Sequence, residues 1–387
     1  MFSRPERRAF VPRALLCALA AIVLPLVSCP AAGAAGFSRY TQAYFGTVSI
    51  LRLNTQDGAE EVWARVKDLL GRIDRAVSVS IPGSDIAAYN SLGAGEGLIV
   101  SDITADIYQK AREAYSLTGG LYDPTVYPLV DLWGFSPRFN TSAYRPTEPY
   151  DRKKADGSPV PPDPAWVSAL LPLVGMDKTA LTRTADGWLL KKLAPSVTVN
   201  GREYAAMMDL GGVAKGYACD RVRALLLEAG YKEGCFICGD SSVVCLGGVG
   251  GTPYTVSVKD PRGAPGAAKD IAALPLENEA LATSSDAAHY YMADGVRYCH
   301  IIDPRTGCPI NTPDGDRAQR GVIQATVTGQ DAALLDALGT AVCVSGSVPG
   351  EGFLEGLIGR YVLVTWRSDT GQTEVLDGTI TQGGTDQ

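Results

Sequence analysis

The stretch MDLGGVAKGYACDRVR, Met208 to Arg223, decides how this chain is read. It has the form of an apolar strand end, a Gly-Gly turn, and a helix with Lys215 in its first turn. Such a turn leaves backbone N–H groups unpaired at the helix N-terminus, where the macrodipole also favours negative charge. With Asp209 before the turn and Lys215 after it, the segment is equipped to hold a phosphorylated ligand by backbone and by charge. Strand–Gly–Gly–helix junctions are common, so a purely structural role stands beside this one until other segments are weighed.

Upstream, the first residues bear on the compartment. Arg4, Arg7, Arg8 and Arg13 form a basic head, and Ala14 to Val27 is an apolar run too short for a stable membrane span. The run ends in Leu26-Val27-Ser28-Cys29, which resembles a bacterial lipobox. Residues 1–28 are therefore expected to be a lipoprotein signal peptide, with lipid on Cys29 and a small-residue tether over 29–40. A plain signal peptide with an incidental cysteine is the competing reading. Removing residues 1–28, which carry four Arg and one Glu, changes the formal net charge from −7 to −10. So acidic a chain is a poor candidate for nucleic-acid binding.

Residues 41–387 are expected to form one domain, with a Pro-rich and charged surface insertion at about 136–158. Tyr44 to Leu53 reads as a strand, and the apolar spacing in Glu60–Val77 and Ser101–Leu117 predicts two amphipathic helices. Ser84 is a candidate N-cap for a short helix. Residues 119–135, GGLYDPTVYPLVDLWGF, are dense in aromatics and Pro and read as a loop. Asp163 to Leu171 looks helical, and Trp188 to Asn200 holds two strand-like runs. Further strands are expected at Cys235–Gly247, Tyr254–Lys259, Val296–Ile302, Val322–Val327 and Tyr361–Trp366. A last helix is expected at Asp331–Val344, closing near Gly346. Strands in consecutive groups with helices between them favour an α+β fold over regular βαβ winding.

Beyond Cys17 and Cys29 the chain has seven cysteines but only two histidines. Cys235 and Cys238 have redox or metal spacing, yet no second pair matches them, which argues against zinc. Their apolar surroundings favour small core thiols. If the others pair, an odd number leaves at least one thiol free.

Asp336 and Thr340 lie four apart on the last helix and point the same way, a partial site for a hard cation with oxygen ligands. The bland reading gives Thr a bond within its own helix and leaves Asp in solvent. His300, in RYCHIIDPRTG, sits where a strand end meets an Asp-Pro turn, a frequent catalytic location. His289, in the helical-looking DAAHYY, is a weaker candidate. No G-x-S-x-G elbow, Walker loop or H-E-x-x-H is present.

Taken together, these segments resemble the ApbE-type FAD:protein FMN transferases. The resemblance runs in order through FGT (Phe45–Thr47), SVSIPGSDIAAYN ending at Asn90, DPTVYPLVDLWGF (Asp123–Phe135) and LVGMDK (Leu173–Lys178). It continues through DLGGVAKGYACD (Asp209–Asp220), CGDSSVVCLG (Cys238–Gly247), ATSSD (Ala282–Asp286), HIIDPRTGCP (His300–Pro309) and DALGTA (Asp336–Ala341).

The resemblance implies a two-lobed α+β fold of mixed and antiparallel sheets flanked by helices, with FAD in the cleft between lobes. It implies Mg²⁺ held by Asp336, Thr340 and the carbonyl of Gly212. FAD contacts carry over to Phe45, Ser80, Leu121, Tyr122, Asp123, Asp209, Lys215 and Ile302, and the base to His300. Ser80 stands where many members have an aromatic stacking on the flavin. Cys238, Ser285 and Tyr122 are further departures.

The implied reaction moves FMN from FAD to a Thr or Ser hydroxyl of an exported redox protein, releasing AMP. It is expected at the periplasmic side of a bacterial membrane, which the enzyme touches through its lipid alone. Its chemistry suits the residues: two adjacent phosphates need neutralisation, and the incoming hydroxyl needs a proton acceptor. Hydrolysis of FAD to FMN and AMP, or flavin binding without chemistry, are the alternatives.

Overall fold

The computed structural model describes residues 27–28, 37–54, 58–137, 152–263, 268–311, 320–346, 359–367, 371–381 and 384–386. Cys29 and most of the residues expected to form a signal peptide, a tether and the 136–158 insertion lie outside these residues.

Nine strands form the main sheet: β1 Phe37–Tyr44, β2 Thr47–Asn54, β3 Gly234–Cys238, β4 Ser242–Leu246, β5 Ala280–Ser285, β6 Arg320–Gly329, β7 Gly359–Arg367, β8 Gln372–Thr381 and β9 Gly384–Asp386. They lie in space in the order of the sequence, and every neighbouring pair is antiparallel. The helices are excursions from this meander. Helices α1 Ala59–Val77, α2 Asp102–Leu117 and α3 Gly211–Glu228 leave between β2 and β3, and α4 Ala332–Ser345 between β6 and β7. Because sequential strands pair directly, no right-handed parallel crossover is required, and the α+β reading holds.

The sheet separates two apolar layers by its pleat. On β3 and β4, Phe236, Cys238, Val244 and Leu246 face the helices and join a large core with Val66, Leu70, Val213, Ala218, Leu335 and Leu338. Cys235, Ile237, Val243 and Cys245 face the other way, under the strand pair Tyr254–Lys259 and Asp270–Leu276. A second lobe forms around the helices Tyr127–Trp133 and Pro164–Leu170, with Tyr204, Met207, Tyr291 and Ile302.

Several segments step between the helical core and this second lobe. Met208 and Leu210 belong to the first, Ala206 and Met207 to the second. Tyr122 lies in the first and Tyr127 in the second; Ile301 lies in the first and Ile302 in the second. Asp209, Asp123 and His300 thus stand on or beside the seam.

Several local expectations need correction. The single strand expected at Tyr44–Leu53 is two paired strands, broken at Phe45 and Gly46, whose φ angles are 54° and 69°. Strand β1 begins at Phe37, inside the 29–40 stretch expected to be a tether. The 119–135 stretch is ordered: Asp123 caps a turn of 3-10 helix, and Pro128 opens the helix Tyr127–Trp133, where a missing N–H costs nothing. Met208 to Leu210 is in no strand, and helix α3 begins at Gly211, so Lys215 sits one turn in. His289 lies in a turn ahead of the strand Tyr290–Ala293.

Candidate functional site

The centre of the site is the contact between α3 and α4. A Cβ added to Gly216 would lie 2.0 Å from the carbonyl oxygen of Ala332, so only glycine admits this approach. Asp220, one turn further along α3, accepts from the N–H groups of Ala332 (3.2 Å) and Ala333 (3.0 Å), capping α4 from outside. The two helices are thereby locked with Asp336 facing α3. Asp336 is 3% exposed, and its carboxylate accepts from the Gly216 N–H at 3.0 Å and the Ser242 hydroxyl at 3.1 Å. In an α-helix the Gly216 N–H is the partner of the Gly212 carbonyl. Sharing it with Asp336 weakens that bond and leaves the carbonyl acceptor capacity.

Lys215 is half-buried and donates to the Gly211 carbonyl at 3.1 Å. Burial works against its charge, but Asp336 first, then Cys238 and Asp209, hold its pKa above the ordinary value. It stays a cation. Burial pushes the Asp336 and Asp209 carboxyls up, and Lys215 opposes this in both. Asp209 also accepts from the Gly211 N–H at 2.7 Å. Neighbouring side chains crowd both glycines of the turn: a Cβ on Gly211 would meet Asp209 Oδ1 at 2.9 Å, and one on Gly212 would meet the Tyr122 ring at 3.0 Å. The segment is held by Asn90, whose side chain pairs with both backbone groups of Met208, and by the Asp209 N–H donating to the Pro124 carbonyl.

Tyr122 closes the other side. It is 4% exposed, and burial, then Asp209, Asp336 and Asp123, hold its phenol well above the usual pKa, so it remains a donor. Among the described residues its buried hydroxyl has no hydrogen-bond partner. Asp123 is also buried, and burial raises its carboxyl to about 6. It accepts from the Thr125 N–H at 2.8 Å and hydroxyl at 2.5 Å, which fixes the chain beside Tyr122.

His300 lies on the segment that crosses the seam at Ile301 and Ile302. Burial, with His289 next, lowers its pKa to about 3, so the imidazole is neutral. Nδ1 lies 3.3 Å from the His289 carbonyl, and the two rings meet edge to face at 5.2 Å. A carbonyl only accepts, so this contact favours the tautomer with the proton on Nδ1 and leaves Nε2 as the acceptor. The base role carried over to His300 thus falls on an imidazole that burial makes weakly basic.

Thr340 shares its helix face with Asp336, but its hydroxyl lies 3.0 Å from Ser284 Oγ and 3.4 Å from the Asp336 carbonyl. Leu121 packs half-buried on the helical core, and Ile302 is buried in the second lobe. Phe45 sits at a hairpin tip and packs against the helical core. Ser80 is exposed and bonds to Ser78 in its own turn. Gly216, Ser242 and Asn90 are functional supports that the sequence reading missed. All three lie inside the motifs quoted above but carried no assigned role there, and only the fold contacts supply one.

The ApbE family model matches residues 45–362. Among curated relatives named FAD:protein FMN transferase, one from Rhodobacter capsulatus is 32% identical over 68% of this chain, which spans 43% of that protein. One from Vibrio cholerae is 27% identical over 80% of this chain and 82% of the relative. The solved flavin transferase ApbE from Vibrio cholerae has the same fold, with a TM-score of 0.66 at 24% identity over 89% of this chain and 97% of that one. The ApbE protein of Thermotoga maritima gives 0.64 at 25% identity over 87% and 96%. The chain belongs to the ApbE family.

Proposed function

We propose that this chain is an FAD:protein FMN transferase that moves FMN from FAD to a Thr or Ser hydroxyl of an exported protein, with AMP leaving. One observation carries the reading: at the start of α3, Asp209 accepts from the Gly211 N–H, Lys215 donates to the Gly211 carbonyl and Asp336 accepts from the Gly216 N–H, so a cation and two carboxylates gather around the same helix turns. The attacking oxygen bonds to the FMN-side phosphorus as the bond from that phosphorus to the AMP-side oxygen breaks. Lys215 and the first N–H groups of α3 favour the phosphoryl oxygens. His300 Nε2 is the acceptor for the hydroxyl proton, and an anionic diphosphate nearby raises its basicity. Gly216 and Ser242 hold Asp336 in place throughout.

The site suits a hard cation. Among the described residues no three His, Cys, Asp or Glu side chains gather as a metal cage. A Mg²⁺ ion, however, uses one or two carboxylates together with carbonyl, water and phosphate oxygens. Asp336, Thr340 and the Gly212 carbonyl are the residues that would hold it, and the Tyr122 hydroxyl, without a hydrogen-bond partner among the described residues, stands beside Gly212. Bound there, Mg²⁺ supplies neutralisation of the two adjacent phosphates. The basic head, short apolar core and Ser28-Cys29 support an exported chain tethered by lipid. No described helix is long and apolar enough to cross a membrane.

The test is to mix the chain with FAD, Mg²⁺ and a candidate acceptor and to read flavin fluorescence of the acceptor on a denaturing gel. Labelled acceptor with one AMP per flavin transferred is the expected result. Steady AMP release without acceptor would replace the transferase with a pyrophosphatase, and FAD binding without AMP would leave a flavin carrier.

A further inference from the structure

The Cys235-x-x-Cys238 pair takes no part in the site described, and the fold explains why it cannot act as a redox or metal pair. Residues three apart on a strand point to opposite faces of the sheet. Cys238 lies in the helical core and Cys235 in the opposite layer. The partner of Cys235 lies elsewhere: in the β3–β4 pairing it stands directly opposite Cys245.

The hydrogen bonds around the pair fix the type of position. The Cys245 N–H donates to the Glu279 carbonyl at 2.9 Å, so its backbone is turned toward β5. On the other strand, the Gly239 N–H donates to the Val48 carbonyl at 3.0 Å, which turns residues 235, 237 and 239 toward β2. Cys235 and Cys245 are therefore a non-hydrogen-bonded pair. At such positions the Cα atoms approach to about 4.5 Å, with both side chains on one face. That separation lies within the range a disulfide spans, about 4.4–6.8 Å. Both residues are fully buried, and they alone among the described cysteines face that layer.

We propose that Cys235 and Cys245 are a disulfide site, oxidised when the chain folds in an oxidising compartment. The inference rests on reading residues 1–28 as an export signal. Two thiols lose two protons and two electrons to an accepting disulfide of a thiol–disulfide oxidant, which is reduced to two thiols as the S–S bond forms. Exported proteins meet such oxidants and cytosolic ones do not. The link lies on the face of the sheet away from the flavin site. It pins the hairpin whose other face carries Cys238 and whose Ser242 holds Asp336.

The test uses the full chain from cells that export it. A parallel sample is unfolded, reduced and refolded in a glutathione buffer poised at an oxidising potential. Both are acid-quenched, alkylated under denaturing conditions and cleaved before Asp, which separates Cys245 from Cys235 and Cys238 at Asp240. The expected result is a peptide pair, two hydrogens lighter than its parts, that fragments to Cys235–Cys245. It should persist in Cys238→Ser and vanish in Cys235→Ser. Reduction should lower the melting temperature by roughly 5 °C. Alkylation of all three cysteines in both samples, or a link through Cys238, overturns the proposal. A link in the refolded sample alone supports the pairing and counts against export.

Discussion

Gly216→Ala separates this account of the site from a generic one. On propensity alone the change should help, since alanine in a helix interior is worth about 1 kcal/mol over glycine. The structure gives the opposite sign. The new Cβ would stand 2.0 Å from the Ala332 carbonyl oxygen, 2.5 Å from its carbon and 2.8 Å from Ala333 Cα. All three are backbone atoms at the start of α4, so no rotamer relieves the clash. Restoring ordinary contact, about 3.4 Å, moves α4 from α3 by roughly 1.4 Å. The 3.0 Å bond from the Gly216 N–H to Asp336 does not survive that shift, and the Asp220 caps on Ala332 and Ala333 stretch with it. Overpacking costs about 1–3 kcal/mol and a bond to a charged group about 1.5–3, so the net loss is roughly 3 kcal/mol after the propensity gain. Misplacing a site group by about 1 Å can cost ~100-fold in rate, so transfer should fall at least that far. Urea unfolding measures the first quantity, and flavinylation of an acceptor the second. Gly71→Ala is the control: on α1 its Cβ would meet nothing nearer than Arg75 at 3.5 Å, and it should stabilise. A Gly216→Ala protein as stable and active as the parent would refute the helix-contact argument.

Three further outcomes are expected. His300→Ala should reduce covalent flavin transfer at least ~100-fold while FAD binding, followed by flavin fluorescence, stays within a few-fold; undiminished labelling removes His300 from the mechanism. Asp220, raised by burial to about 6, is held protonated by the fold over a range in which the unfolded chain ionises. Its contribution is complete below about pH 4 and lost as pH rises through about 6. Relative to the parent, Asp220→Asn should therefore gain about 2 kcal/mol between pH 4.5 and 7 in urea titrations, and a constant difference would contradict the assignment. Cys29→Ala should move the exported chain from the membrane fraction to the soluble one with activity intact, whereas a variant that stays on the membrane would exclude the lipid anchor.

What the sequence displays and what it hides differ by the range of the interaction involved. Helix α4 was legible almost to the residue, because its apolar run, the Asp331 cap and the closing Gly346 are local signals. The paired strands of the CFICGDSSVVCL hairpin were legible for the same reason. The 119–135 stretch was not, since Pro and aromatics resemble a loop until Asp123 and Pro128 are seen opening helical turns. The break at Phe45 was hidden because a bulky residue at φ 54° leaves no compositional mark. For the site, resemblance to a family supplied the roles, while Asp209, Lys215 and Asp336 came together only in the fold. The residue that joins them is none of these acids or bases. Gly216 and Asp336 are 120 positions apart, and the missing side chain of one lets the carboxylate of the other reach α3. Polar residues mark where chemistry is possible; a glycine with no chemistry of its own determines whether they meet.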